Sequence, residues 1–178
     1  MKSLNMLFIS LVALMGCDAP NRKDAFEPHP NFESAIEAIA TSEDIYEAGA
    51  AADQLYSGGL PAIDALRRHL TDDRPIPSGF CIRSFNNYDD VKMGEQARWS
   101  IQDMIEVGLP KIYDDSYYVL RGDRMEEWLD ERKDMSFSQL RIEAATAQLK
   151  YAKQHRANGE RYANDAITLI EERLAELN

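Results

Sequence analysis

Residues 48–63, AGAAADQLYSGGLPAI, are matched in outline 49 positions further along the chain by residues 97–112, ARWSIQDMIEVGLPKI. In both stretches apolar residues recur every three or four positions, which is the spacing of one helix face, and a Gly-Leu-Pro turn follows. Glycine commonly ends a helix and proline is tolerated in a first turn, so the pattern predicts a helix, a tight turn and a second helix. The matched apolar residues are Ala48 with Ala97, Ala52 with Ile101, Leu55 with Met104 and Tyr56 with Ile105.

Helical patterning continues on both sides of this repeat. Phe32 to Ala40 forms an amphipathic segment, and Ser42 is placed to cap the next helix. Asp89 or Asp90 is placed to cap the helix of the second copy. Between the two copies, residues 71–88 predict a loop longer than most connections, and such loops are often functional or disordered.

The C-terminal part of the chain predicts three more helices. One runs from Asp123 to Lys133, and a long one starts at Ser136 or Ser138 and extends to about His155. The last helix has an apolar seam at near-heptad spacing, suited to antiparallel packing on its neighbour. Its members are Ala163, Ile167, Ile170, Leu174 and Leu177. No run predicts a convincing strand, so we expect an all-α fold of stacked antiparallel helical hairpins closed by a C-terminal helical hairpin.

The repeated unit of helix, glycine turn, Leu-Pro start and helix resembles HEAT-type repeats, in which paired helices stack side by side. The resemblance covers about residues 43–120, and it implies a HEAT-like array. The Asp and Arg positions of that family are only loosely met by Asp72 and Arg98. Two unrelated amphipathic hairpins that share a common turn are the alternative explanation of the repeat.

The N-terminus has the pattern of a secretory signal: one lysine, an apolar stretch from Leu4 to Met15 and a small residue before the cut. Leu14-Met15-Gly16-Cys17 resembles the lipobox of bacterial lipoproteins, although Met15 departs from the commonest residue there. The resemblance implies cleavage before Cys17 and a lipid on its thiol. An aspartate directly after the lipidated cysteine, here Asp18, resembles the signal that keeps bacterial lipoproteins in the inner membrane. We therefore favour the periplasmic face of the inner membrane over the outer membrane as the location of the protein.

These features divide the chain into three parts. Residues 1–16 are the predicted lipoprotein signal peptide, residues 17–30 a flexible, proline-containing tether, and residues 31–178 a single helical domain. The net charge of −11 argues against nucleic acid as a partner, because no strong basic patch accompanies it. With Cys17 lipidated, Cys81 is the one remaining cysteine, so no intramolecular disulfide is expected.

No catalytic or metal-ligand motif is evident, so we predict no catalytic residue, metal or cofactor. Paired aspartates, such as Asp72-Asp73, are read as caps and solvated turns, with a cation site as the alternative. Trp99 is either packed between hairpins or an exposed anchor for a partner. We predict it as a partner contact, together with Tyr117, Tyr118 and Arg121.

Three functions remain open. The first is a membrane-anchored, non-enzymatic binding or scaffold lipoprotein with an envelope protein as partner, since helical arrays offer extended surfaces. The second is an immunity or inhibitor lipoprotein, whose acidic surface suits a basic toxin or hydrolase. The third is a small hydrolase with its site in residues 71–88.

Overall fold

The computed structural model describes residues 29, 31–80, 91–110, 120, 124–158 and 162–178. Within these ranges the only β pairing is an isolated bridge between Pro75 and Lys92, so the all-α prediction is confirmed. None of the described helices is long and apolar enough to cross a membrane. The helices are α1 (Phe32–Thr41), α2 (Ile45–Ser57), α3 (Gly59–Arg67), α4 (Met93–Ile105), α5 (Met125–Glu131), α6 (Phe137–Ala157) and α7 (Tyr162–Leu177).

The helices pack as hairpins of chain neighbours: α1 on α2, α3 on α4, and α6 on α7. The first two hairpins lie side by side, because α1 also contacts α3 and α2 also contacts α4. The sequence repeat groups α2 with α3, but these two helices contact less extensively than α1 does with α2. Since Gly58 alone separates α2 from α3, the chain turns sharply there, whereas residues 42–44 let α1 and α2 fold back along each other.

Helix α4 lies at the centre of the main core and contacts α2, α3 and α6. Its repeat positions Ala97, Ile101 and Met104 are buried, as predicted. Four polar residues of α4 and its C-cap are buried as well: Gln96, Ser100, Gln102 and Glu106. These pair along the helix: Gln96 Nε2 donates to Ser100 Oγ (3.2 Å), and Gln102 Nε2 donates to Glu106 Oε2 (2.9 Å). Because α4 has neighbours on several sides, these side chains are shielded from solvent, and they form hydrogen bonds with each other.

Two predicted caps are wrong. Asp44 caps α2, because its Oδ1 accepts from the Tyr46 N–H (2.8 Å), while Ser42 ends α1 instead. Helix α4 begins after Lys92, whose N–H donates to Glu95 Oε2 (3.2 Å). Asp89 and Asp90, the expected caps, lie outside the described residues.

Backbone hydrogen bonds between residues 74–76 and residues 91–93 set the start of α4, which has no side-chain cap. The Ile76 N–H donates to the Val91 carbonyl and the Met93 N–H to the Arg74 carbonyl, each at 2.9 Å. Ile76 and Val91 are both buried. The long loop predicted between α3 and α4 is therefore held together where its two ends meet.

The C-terminal hairpin, α6 with α7, has the predicted apolar seam. Ala163, Ile167 and Ile170 are buried, and Leu174 packs partly buried beside them. The first turns of α6 join the main core through Leu140 and Ala144. The later turns of α6 and helix α7 form a second, smaller cluster, so α6 belongs to both.

Candidate functional site

Two large apolar side chains are exposed next to each other at the start of α2. Tyr46 is 70% exposed and Ile45 is 50% exposed. Ile45 lies one turn before Ala48 on the helix face that Ala48 and Ala52 bury in the core. The apolar spacing therefore predicts that Ile45 is buried, and its exposure departs from that prediction.

Phe80 extends this apolar surface from the neighbouring loop. Its Cε2 lies 3.8 Å from the place that a Cβ on Gly49 would occupy, so the ring rests on α2 one turn after Ile45. Phe80 is half-buried, and part of it packs against the main core. We call Ile45, Tyr46 and Phe80 the α2 patch.

Acidic residues surround the α2 patch on its own hairpin. Residues 32–57 contain no Lys, Arg or His, and three of their acids, Glu43, Asp44 and Glu47, lie within three residues of Tyr46. Glu43 is exposed, and Glu47 Oε2 accepts from the Ser42 hydroxyl (2.6 Å). The surface therefore combines an aromatic side chain with a rim of negative charge.

A second cluster of charged side chains ties α1 to the end of α3 and the following turn. His69 Nε2 lies 2.9 Å from Glu33 Oε2, and His69 Nδ1 lies 3.3 Å from Asp72 Oδ2. Arg68 also donates to Glu33. We call Glu33, Glu37, Arg68, His69, Asp72 and Arg74 the α1–α3 ion network.

Arg74 completes this network on its other side. It donates to Asp72 Oδ2 through Nη2 (2.8 Å) and to Glu37 Oε1 through Nη1 (2.9 Å). The Arg74 hydrogen bonds, opposed by partial burial, lower the pKa of Asp72 to about 2. Hydrogen bonds from His69 and Arg68 lower the pKa of Glu33. These carboxylates are charged and engaged by cations, so the network acts as a clamp between helices.

The predicted partner-contact residues are only partly located. Trp99 is half-buried and packs against the main core. Tyr117, Tyr118 and Arg121 lie outside the described residues, as do Cys17, Asp18 and Cys81 of the other predictions.

Of the predicted aspartate pair, Asp72 is bound by Arg74, and Asp73 is exposed. Across the described ranges, no group of three or more His, Cys, Asp or Glu side chains is placed to hold a metal ion.

Sequence reasoning missed Tyr46 and Ile45. The available signal was the charge pattern, because Glu43, Asp44 and Glu47 cluster around Tyr46 in a stretch without Lys, Arg or His. Comparison of the chain with protein-family models, curated proteins and solved structures gave no match. The assignment of a function therefore depends on the residues described above.

Proposed function

We propose that the protein is a lipid-anchored, non-enzymatic binding protein of the bacterial cell envelope. Cys17 carries the lipid, and Asp18 keeps the protein at the periplasmic face of the inner membrane. The helical array then presents the α2 patch to a basic protein partner.

The proposal rests on the exposure of Tyr46 beside Ile45, with Glu43, Asp44 and Glu47 close by in a hairpin that has no basic residue. Tyrosine is enriched among the residues that dominate binding energy at protein interfaces. Complementary charge speeds association and selects partners, and it acts over about 8–10 Å at physiological salt. The neighbouring acids Glu43 and Glu47 are close enough to act at that range, whereas charges on distant helices are screened.

The attachment of the tether supports a partner near the membrane. The His29 N–H donates to Gln54 Oε1, and Gln54 Nε2 donates to the His29 carbonyl, both at 2.8 Å. The chain therefore joins the array on α2, the helix that carries the patch. Gln54 is eight residues from Tyr46, roughly 12 Å along a helix. The segment from Cys17 to His29 spans at most roughly 40 Å when extended, so the patch stays near the bilayer surface.

A second candidate is favoured by the same acidic hairpin. An immunity or inhibitor lipoprotein that neutralises a basic toxin or hydrolase would use this charge to capture its target. Such an inhibitor can be told from a scaffold by one observation: when the inhibitor binds its target enzyme, the activity of that enzyme is lost.

Metabolic labelling with palmitate tests the anchor. We expect the wild-type chain to incorporate label and fractionate with membranes, and Cys17→Ala to do neither. Equal labelling of the Cys17→Ala variant would remove the anchor from the proposal.

Capture from detergent-solubilised envelopes tests the patch. We expect the lipidated protein to retain a basic protein that is lost with Tyr46→Ala and on raising the salt concentration. Leu169→Ala is the matched control, because Leu169 is 49% exposed on α7, away from the patch. Retention of the same protein by the Tyr46→Ala variant would show that the α2 patch is not the contact.

A further inference from the structure

His69, just after the end of α3, lies between two carboxylates that belong to different parts of the fold. Its Nε2 is 2.9 Å from Oε2 of Glu33 on α1, and its Nδ1 is 3.3 Å from Oδ2 of Asp72 in the following turn. The His69 side chain is 20% exposed, and that of Asp72 is 13% exposed. Both ring nitrogens therefore face carboxylate oxygens, and the ring itself is largely shielded from water.

Arginines hold both carboxylates in their charged form. Arg68 Nε donates to Glu33 Oε1 (2.9 Å), and hydrogen bonds from His69 and Arg68 lower the pKa of Glu33. Arg74 Nη2 donates to Asp72 Oδ2 (2.8 Å), and the Arg74 hydrogen bonds lower the pKa of Asp72 to about 2. At neutral pH the oxygens that face His69 are therefore hydrogen-bond acceptors only.

A neutral imidazole ring cannot satisfy both contacts. It has one N–H donor and one nitrogen lone pair in either tautomer, so one nitrogen of His69 would oppose a carboxylate oxygen with no proton between them. The doubly protonated ring donates to both oxygens, and hydrogen bonds between charged partners are the stronger kind. The two distances therefore fit the charged form of His69 better than the neutral form.

The charge of the surroundings favours the same form. Beside His69, the α1–α3 ion network has the three carboxylates of Glu33, Glu37 and Asp72 and the two guanidinium groups of Arg68 and Arg74. A proton on His69 therefore balances the charge of the network. Outside it, Arg67 pairs with Asp130 of α5, Asp73 is exposed, and Arg98 of α4 donates to the backbone carbonyl of the residue after His69 (2.7 Å).

We propose that His69 is a pH-sensitive switch that fastens α1 to the end of α3 when its ring takes up a proton. The charged ring joins Glu33 to Asp72 through two hydrogen bonds, and loss of the proton leaves one of them unmade. Since α1 packs on α2, the switch sets how firmly the hairpin that carries the α2 patch is held. It does not depend on the proposed function.

The direction of the pH dependence follows from the fit to the charged ring. The stabilisation by His69 is fully present below about pH 6.5, the ordinary pKa of a histidine in an unfolded chain, and it is lost as the pH rises further. Between pH 5.5 and pH 8 the carboxylates of Glu33 and Asp72 stay charged, because their pKa values are lowered. Acidification within this range therefore tightens the contact.

Unfolding in urea at pH 5.5 and at pH 8 tests the switch on the full lipidated chain in detergent micelles. In His69→Gln the side chain has donor and acceptor atoms but no charge at either pH. We expect this variant to raise the unfolding equilibrium constant about fivefold more at pH 5.5 than at pH 8. His29→Gln is the control and should act equally at both pH values, because His29 bonds to Gln54 through its backbone.

A second variant identifies the carboxylate as the source of the effect. In Glu33→Gln the ring of His69 faces a neutral amide, so adding His69→Gln should then show a smaller difference between the two pH values. An effect of His69→Gln that is equal at both pH values, or that Glu33→Gln leaves undiminished, overturns the proposal.

Hydrogen exchange of the wild-type chain gives a measurement that needs no variant. We expect the protection of the α1 amides, corrected for intrinsic exchange rates, to rise several-fold from pH 8 to pH 5.5 relative to the amides of α7. Equal protection of α1 at the two pH values would also overturn the proposal.

Discussion

Gly59 and Gly108 lie 49 residues apart, and both adopt left-handed backbone conformations just after a repeat helix, with φ of 59° and 79°. Gly59 turns the chain from α2 into α3, and Gly108 follows the end of α4. Positions with positive φ favour glycine because a Cβ there meets the backbone. The two copies of the repeat therefore share a turn conformation as well as an apolar pattern.

Replacing Gly108 by alanine tests this turn. We expect Gly108→Ala to lower the free energy of unfolding by about 1–2 kcal/mol, because a Cβ strains the left-handed backbone. The same Cβ would crowd the Arg173 Nε at 3.0 Å. Urea unfolding followed by circular dichroism measures the change.

Gly49→Ala is the control for that substitution. Gly49 lies inside α2, and a Cβ there would make only an ordinary contact with Phe80 at 3.8 Å. Alanine is the better helix former by up to about 1 kcal/mol, so this variant should be more stable than wild type. Equal losses from both substitutions would show that the φ of Gly108 is not the cause.

The repeat also predicts equivalent packing at Leu55 and Met104, both buried in the main core. Leu55→Ala and Met104→Ala should each cost about 2–5 kcal/mol, from lost burial and the cavity left behind. Leu169→Ala, at an exposed position, should change the stability by less than about 0.5 kcal/mol. A small effect at either core position would contradict the shared role of the two helices.

The α1–α3 ion network predicts a specific dependence on pH. Because the folded protein lowers the pKa of Asp72 to about 2, the charged carboxylate stabilises the fold above pH 4, and this contribution is lost as pH falls towards 2. Asp72→Asn should therefore cost on the order of 1–2 kcal/mol at pH 6 and little at pH 2. Unfolding of both proteins at the two pH values measures the difference.

The matched control for the network is its neighbour Asp73, which is exposed. Asp73→Asn should change the unfolding free energy little at either pH. If Asp72→Asn showed the same loss at pH 2 as at pH 6, the loss would come from packing, and the charge of Asp72 would not be its source.

The attachment of His29 to Gln54 predicts a local effect. Gln54→Ala removes both hydrogen bonds, and it should cost about 1 kcal/mol and speed amide hydrogen exchange at His29 several-fold. Gln154→Ala, at an exposed position on α6, is the control. Unchanged exchange at His29 would show that Gln54 does not hold the tether.

The helices were predictable because their apolar spacing is strong and local. One helix cap was predictable for the same reason. Ser136 was expected to start α6, and its Oγ accepts a hydrogen bond from the Gln139 N–H (3.3 Å). The start of α4 was not predictable, because backbone pairing between residues 74–76 and 91–93 sets it. The burial of Gln96 and Gln102 also depends on which helices surround α4, and the spacing of residues within α4 does not contain that information.

The candidate site was less predictable than the fold. Ile45 has the spacing of a core residue, yet it is 50% exposed, and the spacing within α2 does not show which neighbours cover its first turn. Trp99 lies on a polar helix face, yet it packs on the core because α4 has neighbours on several sides. The acidic composition of residues 32–57 was readable from the sequence, but its place beside an exposed tyrosine needed the fold.

Site-specific photo-crosslinking in living cells is the sharpest test of partner binding at the α2 patch. A photoreactive residue replaces Tyr46 in the full lipidated chain, and in a second strain it replaces Leu169. We expect one prominent crosslink from position 46 to a basic envelope protein and none to that protein from position 169. The same protein captured equally from both positions, or no crosslink from position 46, would contradict a binding role for the α2 patch.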